Sequence, residues 1–365
     1  MKIFIEKFSY ADPFNIVFLC GSKFSKNPRE KRLVLKRHLE ATIPNCRVIV
    51  LEENFAFRNT TKKYLAYDDI FLYSLAQVEE LASLFSSSVL IIHETISTAA
   101  ELGMFANNPA LVKKICLLTP DSYAVEENKV SSFIQLAFLQ PKAPESCIGD
   151  HIIFYPDTEL FRDSAVKGGY YTYFHNNTIG ENLSRKICAF VMRDNVVSEV
   201  HFAKCRYHTP RADEFSIDYC LDKKGKAVSI YVHPSVFKVQ LLSLFCSSVF
   251  QAEIQKKKKI YEHVSYIQNM YEELIEKSVA FYSGFDLSGF TISVALKNSK
   301  CELRQAVGYY IYMLQAINLI CMEQADDEDM SIRKICITHE MESFEQRFSS
   351  LIVDQPVTAF GGLGL

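Results

Sequence analysis

Two glutamates lie close together in the segment IIHETISTAAELGMFANN, residues 91–108. Glu94 ends a hydrophobic run, and Glu101 follows seven positions later, with Ser97 and Thr98 between them. A carboxylate that faces a sugar can stabilise or capture the oxocarbenium-like cation that forms when an N-glycosidic bond breaks. This spacing makes Glu101 a candidate nucleophile.

Both glutamates also have a structural explanation. Thr98-x-x-Glu101 fits a capping box, in which the hydroxyl and the carboxylate each bind the other's backbone donor. At a helix start the dipole keeps a carboxylate ionised, which suits a nucleophile and does not suit a general acid. Glu94 alone fits a solvated residue at a strand end. Beside Glu101, repulsion between like charges would favour a proton on one of them, giving a proton donor or a ligand for sugar hydroxyls.

Further polar residues are candidates for the same site. Gly21 allows close approach of a ligand to the backbone, and Arg32 is either a helix-surface charge or a phosphate contact. Glu80 is either an exposed helix residue or a third carboxylate of the site, and Asn107 and Asn108 either cap a helix or bind the substrate. The predicted set consists of Glu101, Glu94 and Glu80 as catalytic residues, and Gly21, Ser22, Arg32, Glu53, Ser97, Thr98, Asn107 and Asn108 as substrate ligands.

A dense basic run occurs in QKKKKIYEH. Such a run is usually a solvated helix face, but it is also the best local candidate for contact with a phosphate backbone. The predicted nucleic-acid contacts are Lys256, Lys257, Lys258 and Lys259.

The composition excludes several classes of protein. With 365 residues, 48% of them hydrophobic, the chain can form two domains with substantial cores. Its net charge of −3 gives no overall attraction to nucleic acid or membranes, so such contacts must be local. We expect no secretory signal and no membrane span, and the eleven scattered cysteines indicate a reducing cytoplasm. No C-x-x-C pair is present for zinc, and we expect no metal.

Strands alternate with helices over about the first 140 residues. The apolar runs that predict strands are at residues 15–21, 46–53, 87–94 and 113–120. This alternation predicts an α/β domain with a parallel sheet, whose ligands bind outside the carboxyl ends of the strands. Glu53 and Glu94 are predicted at those ends.

The pattern changes after a segment at residues 139–151 that prolines and Gly149 interrupt. Beyond it, alternating segments predict antiparallel strands, and long helical stretches follow. We therefore predict a catalytic α/β domain at residues 1–142 and an α+β domain for regulation or partner binding at residues 150–365.

Several motifs of the first 140 residues occur in the order found in a known family. They are IVFLCGS, Arg32-x-x-Leu35-x-x-x-Leu39, VIVLEENF, Glu80, and SSVLIIHETISTAAELGMFANN followed by KKICLL. This part of the chain resembles the deoxyribosyltransferase-like effectors of bacterial retrons, the toxic partners in reverse-transcriptase-based antiphage systems. It is most similar to the toxins of enterobacterial tripartite retron toxin–antitoxin modules, and S-T-x-x-E-L-G-x-F-x-N-N is the most specific motif.

The resemblance implies roles for individual residues. In nucleoside deoxyribosyltransferases a glutamate in a G-T-x-x-E-L-G string is the nucleophile, and Glu101 matches it. Glu94 corresponds to an acid that contacts the substrate, and Glu80 to an acid on the preceding helix. The sequence departs from the transferases in two ways: Ser97 replaces the glycine, and the spacing from the first acid is one residue longer.

The resemblance also implies an activity and partners. We expect an N-glycosidase with a nucleotide or NAD as substrate and no cofactor, held inactive by the retron reverse transcriptase and its RNA–DNA product. Purine loss needs a proton on the base, whereas nicotinamide leaves NAD as a neutral molecule. This difference favours NAD, with purine nucleotides open. The alternatives are a non-catalytic nucleotide-sensing module and a nucleoside salvage transferase. The oligomeric state stays open.

Overall fold

The structure is a computed structural model. It describes residues 8–10, 14–22, 30–56, 65–66, 68–121, 138, 150–156, 174–175, 178–193, 198–205, 209–211, 215–324 and 333–344. The chain forms two compact units that interleave along the sequence. The first, here called the α/β unit, comprises residues 14–53 and 86–195; the second, the mixed unit, comprises residues 1–13, 54–85 and 196–365.

The described strands and helices are numbered separately in chain order. The strands are β1 Phe8–Tyr10, β2 Asn15–Cys20, β3 Cys46–Ile49, β4 Phe55–Ala56, β5 Leu65–Ala66, β6 Ser88–Ile92, β7 Ile115–Asp121, β8 Ile152–Pro156, β9 Phe174–His175, β10 Thr178–Ile179, β11 Ser198–Lys204, β12 Ser216–Asp222, β13 Ala227–Val232, β14 Thr291–Leu296, β15 Ile320–Gln324 and β16 Arg333–Ile337. The helices are α1 Lys31–Thr42, α2 Leu51–Asn54, α3 Leu75–Phe85, α4 Ile96–Ala106, α5 Pro109–Val112, α6 Glu181–Met192, α7 Pro234–Phe245, α8 Ser248–Gln255, α9 Ile260–Ser283 and α10 Leu303–Ala316, with a 3-10 turn at Asp68–Ile70.

The α/β unit contains a five-stranded sheet in the order β3-β2-β6-β7-β8, in which every neighbouring pair is parallel. All residues of β2 and β6 are buried, as expected for strands covered on both faces. The predicted α/β fold with a parallel sheet is confirmed. The structure adds β8, which lies beyond the four strands that the sequence predicted.

Helices α1 and α6 contribute apolar side chains to the core of this unit. From α1 these include Leu35 and Leu39, both fully buried, and from α6 they include Leu183 and Ile187. The helical spacing of the leucines in α1 explains why it presents one apolar face to the sheet.

The mixed unit contains a second five-stranded sheet, in the order β1-β11-β12-β13-β14. The antiparallel arrangement that we predicted for its strands is wrong for β11 and β12, which are parallel. A tight turn at residues 223–226 joins β12 to β13, and these two strands are antiparallel as predicted.

A fully buried helix lies in the mixed unit. Every residue of α10 from Leu303 to Leu314, except Arg304, is buried, and the Tyr309 ring stacks on Phe85 with centroids 5.7 Å apart. A helix that is apolar on all sides has to be covered on all sides. The run GYYIYML is therefore a core helix.

One of the long helical stretches that the sequence predicts, residues 235–282, consists of three helices, α7, α8 and α9. The Ser247 side chain caps α8, and the Glu262 carboxylate accepts the backbone amides of Lys258 and Lys259 at the start of α9. In the described part of the chain, no single helix is long and apolar enough to cross a membrane. Helices α7 and α8 reach that length and composition only as a pair, and they are bent by 82°.

The two units do not follow the division that we predicted at residues 142 and 150. Strand β8 and helix α6 come after the proline-containing segment but belong to the α/β unit. Residues 54–85 come before it but belong to the mixed unit. As a division of function, the two predicted domains stay a prediction.

Alanine substitutions at Gly21 and Gly103, both in the α/β unit, are expected to change the stability of the protein in opposite directions. A Cβ at Gly21 would lie 2.9 Å from Arg32 Cδ, whereas a Cβ at Gly103 would meet no atom within 4 Å. We expect Gly21→Ala to lower the free energy of unfolding by about 1–3 kcal/mol. Gly103→Ala, inside α4, is expected to raise it by about 0.5–1 kcal/mol. Urea denaturation measures both, and a Gly21→Ala protein as stable as the wild type would contradict the close packing.

Candidate functional site

Helix α4 begins one turn earlier than the predicted capping box requires. Thr95 is the N-cap and forms the capping box with Thr98. The Thr98 hydroxyl accepts the Thr95 amide at 3.3 Å and donates to the Thr95 carbonyl at 2.7 Å. The Thr98–Glu101 capping box is therefore wrong, because the first turn of α4 is already capped.

Glu101 is the sixth residue of α4 and lies in its second turn. The predicted placement at the helix start is also wrong, and the dipole acts mainly on the first turn. The side chain is half-buried, and its Oε2 atom is shielded from solvent. Exposed Ser97 lies four residues earlier on the same helix face. The structure thus brings Ser97 and Glu101 together on one side of α4.

Glu94 lies just after β6 and is an acceptor for two side chains. Its Oε1 atom accepts a hydrogen bond from Lys31 Nζ and another, at 2.9 Å, from the Tyr155 hydroxyl. Tyr155 is on β8 and is only 1% exposed, and Lys31 Nζ lies 5.1 Å from the centre of its ring. The Glu94 carboxylate is thus fixed by partners from the start of α1 and from β8. Sequence reasoning missed both partners, and Tyr155 lay outside the predicted catalytic domain.

Arg32 is buried, so the interpretation of this residue as a surface charge is wrong. It is 1% exposed, with Nε 3.0 Å from Glu30 Oε1 and Nη1 3.0 Å from Glu52 Oε1. Its Nη2 donates to the Ser22 carbonyl. Burial by itself lowers the pKa of Arg32, but the adjacent Glu52 and Glu30 raise it above its usual value.

This arrangement gives two predicted ligands a visible structural role. The backbone of Gly21 leaves room for the Arg32 side chain, and the Ser22 carbonyl is one of its acceptors. Whether Gly21, Ser22 or Arg32 also contacts a substrate stays a prediction.

Three more predicted ligands lie in or at the end of a helix of the same unit. Strand β3 ends at Ile49, so Glu53 lies in α2 and not in the strand. The Glu53 carboxylate pairs with Lys36. Asn107 is the exposed C-cap of α4. Asn108 is the N-cap of α5, where its Oδ1 accepts the Ala110 amide at 3.1 Å. The capping interpretation is confirmed for Asn108, and substrate contact stays a prediction for all three residues.

His93 is a titratable residue of this turn that sequence reasoning missed. Its Nδ1 lies 3.1 Å from the Thr98 hydroxyl, and burial lowers the pKa of its ring, which favours the neutral form at pH 7. Its place immediately before Glu94 in IIHET was the available signal. Within the described residues, no group of three or more His, Cys, Asp or Glu side chains is placed to hold a metal ion.

The remaining predicted residues belong to the mixed unit. Glu80 lies on α3, where its Oε1 accepts the Ser299 hydroxyl at 2.7 Å and the Lys300 amide at 2.8 Å. Its assignment to the catalytic site stays a prediction. Residues 256–259 lie at the junction of α8 and α9 and not on one continuous helix face.

Two comparisons with known proteins give the chain a family. A relative from Escherichia coli, named retron Ec73 putative ribosyltransferase/DNA-binding protein, is 28% identical over 160 residues, or 43% of this chain. The match spans about half the length of that relative, 48%. The family described as STM3845 retron effector protein matches residues 28–321, which is most of the chain. The chain therefore belongs to the STM3845 retron effector family.

Proposed function

We propose that this retron effector is a toxic N-glycosidase of antiphage defence, with Glu101 as the nucleophile and a deoxyribosyltransferase-like fold in the α/β unit. The observation that carries the proposal is the place of Glu101. It lies on the second turn of the helix after β6, while Thr95 and Thr98 supply the cap. The putative ribosyltransferase activity in the name of the E. coli relative supports a glycosyl-transfer reaction.

In the first step a carboxylate oxygen of Glu101 attacks the anomeric carbon of the sugar. The bond between this carbon and the base nitrogen breaks, and its electron pair stays on that nitrogen. The product of the step is a glycosyl ester of Glu101. The Oε2 atom of Glu101 is shielded from solvent, which limits its hydration before the substrate binds.

In the second step water attacks the same carbon and loses a proton to the solvent, the ester bond to Glu101 breaks, and the carboxylate is regenerated. We assign Glu94 to this step as the acceptor for the attacking water or for a sugar hydroxyl. Lys31 and Tyr155 both bind its Oε1, so the orientation of the carboxylate is fixed before the substrate arrives. Fixed orientation lowers the entropic cost of reaching the reactive geometry.

The hydrogen bonds of Glu94 favour NAD over a purine nucleotide as the substrate. Lys31 and Tyr155 both donate to Oε1, so this oxygen acts as an acceptor. Neither contact indicates that Glu94 donates a proton to the leaving base. Nicotinamide needs no proton to leave because its ring nitrogen is already cationic, whereas a purine base needs an acid. A purine nucleotide is the second candidate, and its proton donor would have to be another group.

Membership of a retron effector family supports a partner within the retron system. We propose that the reverse transcriptase and its RNA–DNA product hold the toxin inactive in the cytoplasm. The DNA-binding part of the name of the E. coli relative supports a nucleic-acid contact. A nucleotide-sensing module without catalysis is the competing function.

Glu101→Gln is expected to abolish toxicity on expression and to lower base release at least about a thousandfold, because an amide cannot act as the nucleophile. Purified protein is incubated with NAD, ATP and deoxynucleotides, and free base is measured by chromatography. Glu181→Gln is the matched control: the same substitution at an exposed residue of α6 in the same unit, with activity expected to be unchanged.

Two outcomes would count against the glycosidase. Toxicity that survives Glu101→Gln in a folded protein would favour the nucleotide-sensing module. Wild-type protein that releases no base from any of these compounds would remove the enzymatic proposal.

Tyr155→Phe is expected to lower kcat about tenfold, because Glu94 loses one of the two donors that orient it. The ring stays in the core, so the protein should remain folded. Tyr73→Phe removes a hydroxyl from a residue that is 73% exposed and serves as the control. Steady-state kinetics with NAD separate kcat from KM. Unchanged kcat together with a lower melting temperature would make the Tyr155–Glu94 bond purely structural.

A further inference from the structure

A cleft of about 490 Å³ opens at the junction of α8 and α9 in the mixed unit. It is lined by Lys256, Lys257, Lys258, Glu262, Ser265, Tyr266 and Asn269. The catalytic proposal uses none of these residues.

The cleft is predominantly cationic. Three of its lining residues are lysines, and Lys256 and Lys258 are exposed. The Glu262 carboxylate accepts the backbone amides of Lys258 and Lys259 at 2.9 and 3.0 Å, and these hydrogen bonds lower its pKa. Its charge therefore serves the start of α9. Lys256 forms an exposed ion pair with Glu253, so the three lysine ammonium groups face two carboxylates.

The exposed face of α9 continues the cleft with neutral groups. Tyr261 is 50% exposed, and the exposed residues Ser265 and Asn269 follow at intervals of four, on the same helix face. Beyond Asn269, Glu272 accepts the Gln268 side-chain amide and Glu273 pairs with Lys277. The surface thus combines ammonium groups, hydrogen-bonding side chains and an aromatic ring within a few helical turns.

We infer that this surface binds a segment of single-stranded nucleic acid. Phosphates contact Lys256, Lys257 and Lys258, and a base stacks on Tyr261. Each group has a partner in such a strand, because phosphates attract ammonium groups and every base has a π-face that stacks on aromatic rings. Ser265 and Asn269 supply hydrogen bonds to sugars or base edges. This contact specifies how the proposed nucleic-acid partner is bound. Only its biological role rests on the proposed function.

A second group of three lysines in the same unit lies outside the cleft and serves for comparison. Lys223, Lys224 and Lys226 lie in the β12–β13 turn, where the Asp222 carboxylate accepts the Lys224 and Gly225 amides. The ammonium group of Lys223 lies over the Phe285 ring, 4.1 Å from its centre. This turn carries the same number of positive charges and provides a matched control for charge alone.

The test measures binding of the full chain to a fluorescent oligodeoxythymidine of about 20 nucleotides by anisotropy at several salt concentrations. K256Q/K257Q/K258Q is expected to weaken binding at least about tenfold near physiological salt. It should also reduce the slope of log K against log salt by about two, since each phosphate contact on a single strand contributes about 0.7. K223Q/K224Q/K226Q removes the same charge and is expected to change the affinity less than about twofold.

Tyr261→Ala tests the stacking contact separately. It is expected to weaken binding at least about fivefold without changing the salt slope, and Tyr261→Phe should retain the affinity. Equal losses in the two lysine triple variants would show a general electrostatic effect and overturn the inference. Binding to vesicles of phosphatidylserine and phosphatidylcholine without binding to the oligonucleotide would assign the surface to a membrane and also overturn it.

The two proposals fail separately. Glu101→Gln is expected to leave the oligonucleotide affinity unchanged, because Glu101 lies in the other unit. Loss of the glycosidase proposal therefore leaves the binding measurement intact, and absence of oligonucleotide binding leaves base release intact.

Discussion

Two adjacent cations at the start of α1 hold together the edge of the parallel sheet at which the strands end. Arg32 binds Glu52, which follows β3, and Lys31 binds Glu94, which follows β6 and also accepts the hydroxyl of Tyr155 on β8. Arg32 is buried, whereas Lys31, Glu52 and Glu94 are partly exposed, so solvent screens part of this charge pairing. The turn that leads to the candidate nucleophile is fixed by charge pairing as well as by backbone hydrogen bonds.

The sequence was sufficient to predict four of the five strands of this sheet, because buried parallel strands are continuous apolar runs. It was not sufficient to place the start of α4. Thr95, Ser97 and Thr98 are all good capping residues, and the bond between His93 and Thr98 is visible only in three dimensions. Arg32 was misplaced for a related reason: charged residues are normally exposed, and its partner Glu52 is twenty residues away.

Strand β8 shows what local patterns leave undetermined. It joins the sheet after a long stretch that prolines interrupt, and a pairing over that distance leaves no periodic signal in the sequence. Its Tyr155 nevertheless completes the surroundings of Glu94. A chain ending at residue 142 would lack β8 and α6, and β7 would be left as an edge strand. Tyr155, which donates a hydrogen bond to Glu94, thus lies beyond the predicted end of the catalytic domain.

The net charge of −3 conceals opposite uses of cations in the two units. In the α/β unit, Lys31 and Arg32 are paired with carboxylates. A phosphate would have to displace those carboxylates to bind to Lys31 or Arg32. At the junction of α8 and α9, Lys256 pairs with Glu253, and Lys256, Lys257 and Lys258 all line an open cleft. The same residue types therefore orient the candidate catalytic residue Glu94 in one unit and line the surface proposed for a nucleic acid in the other.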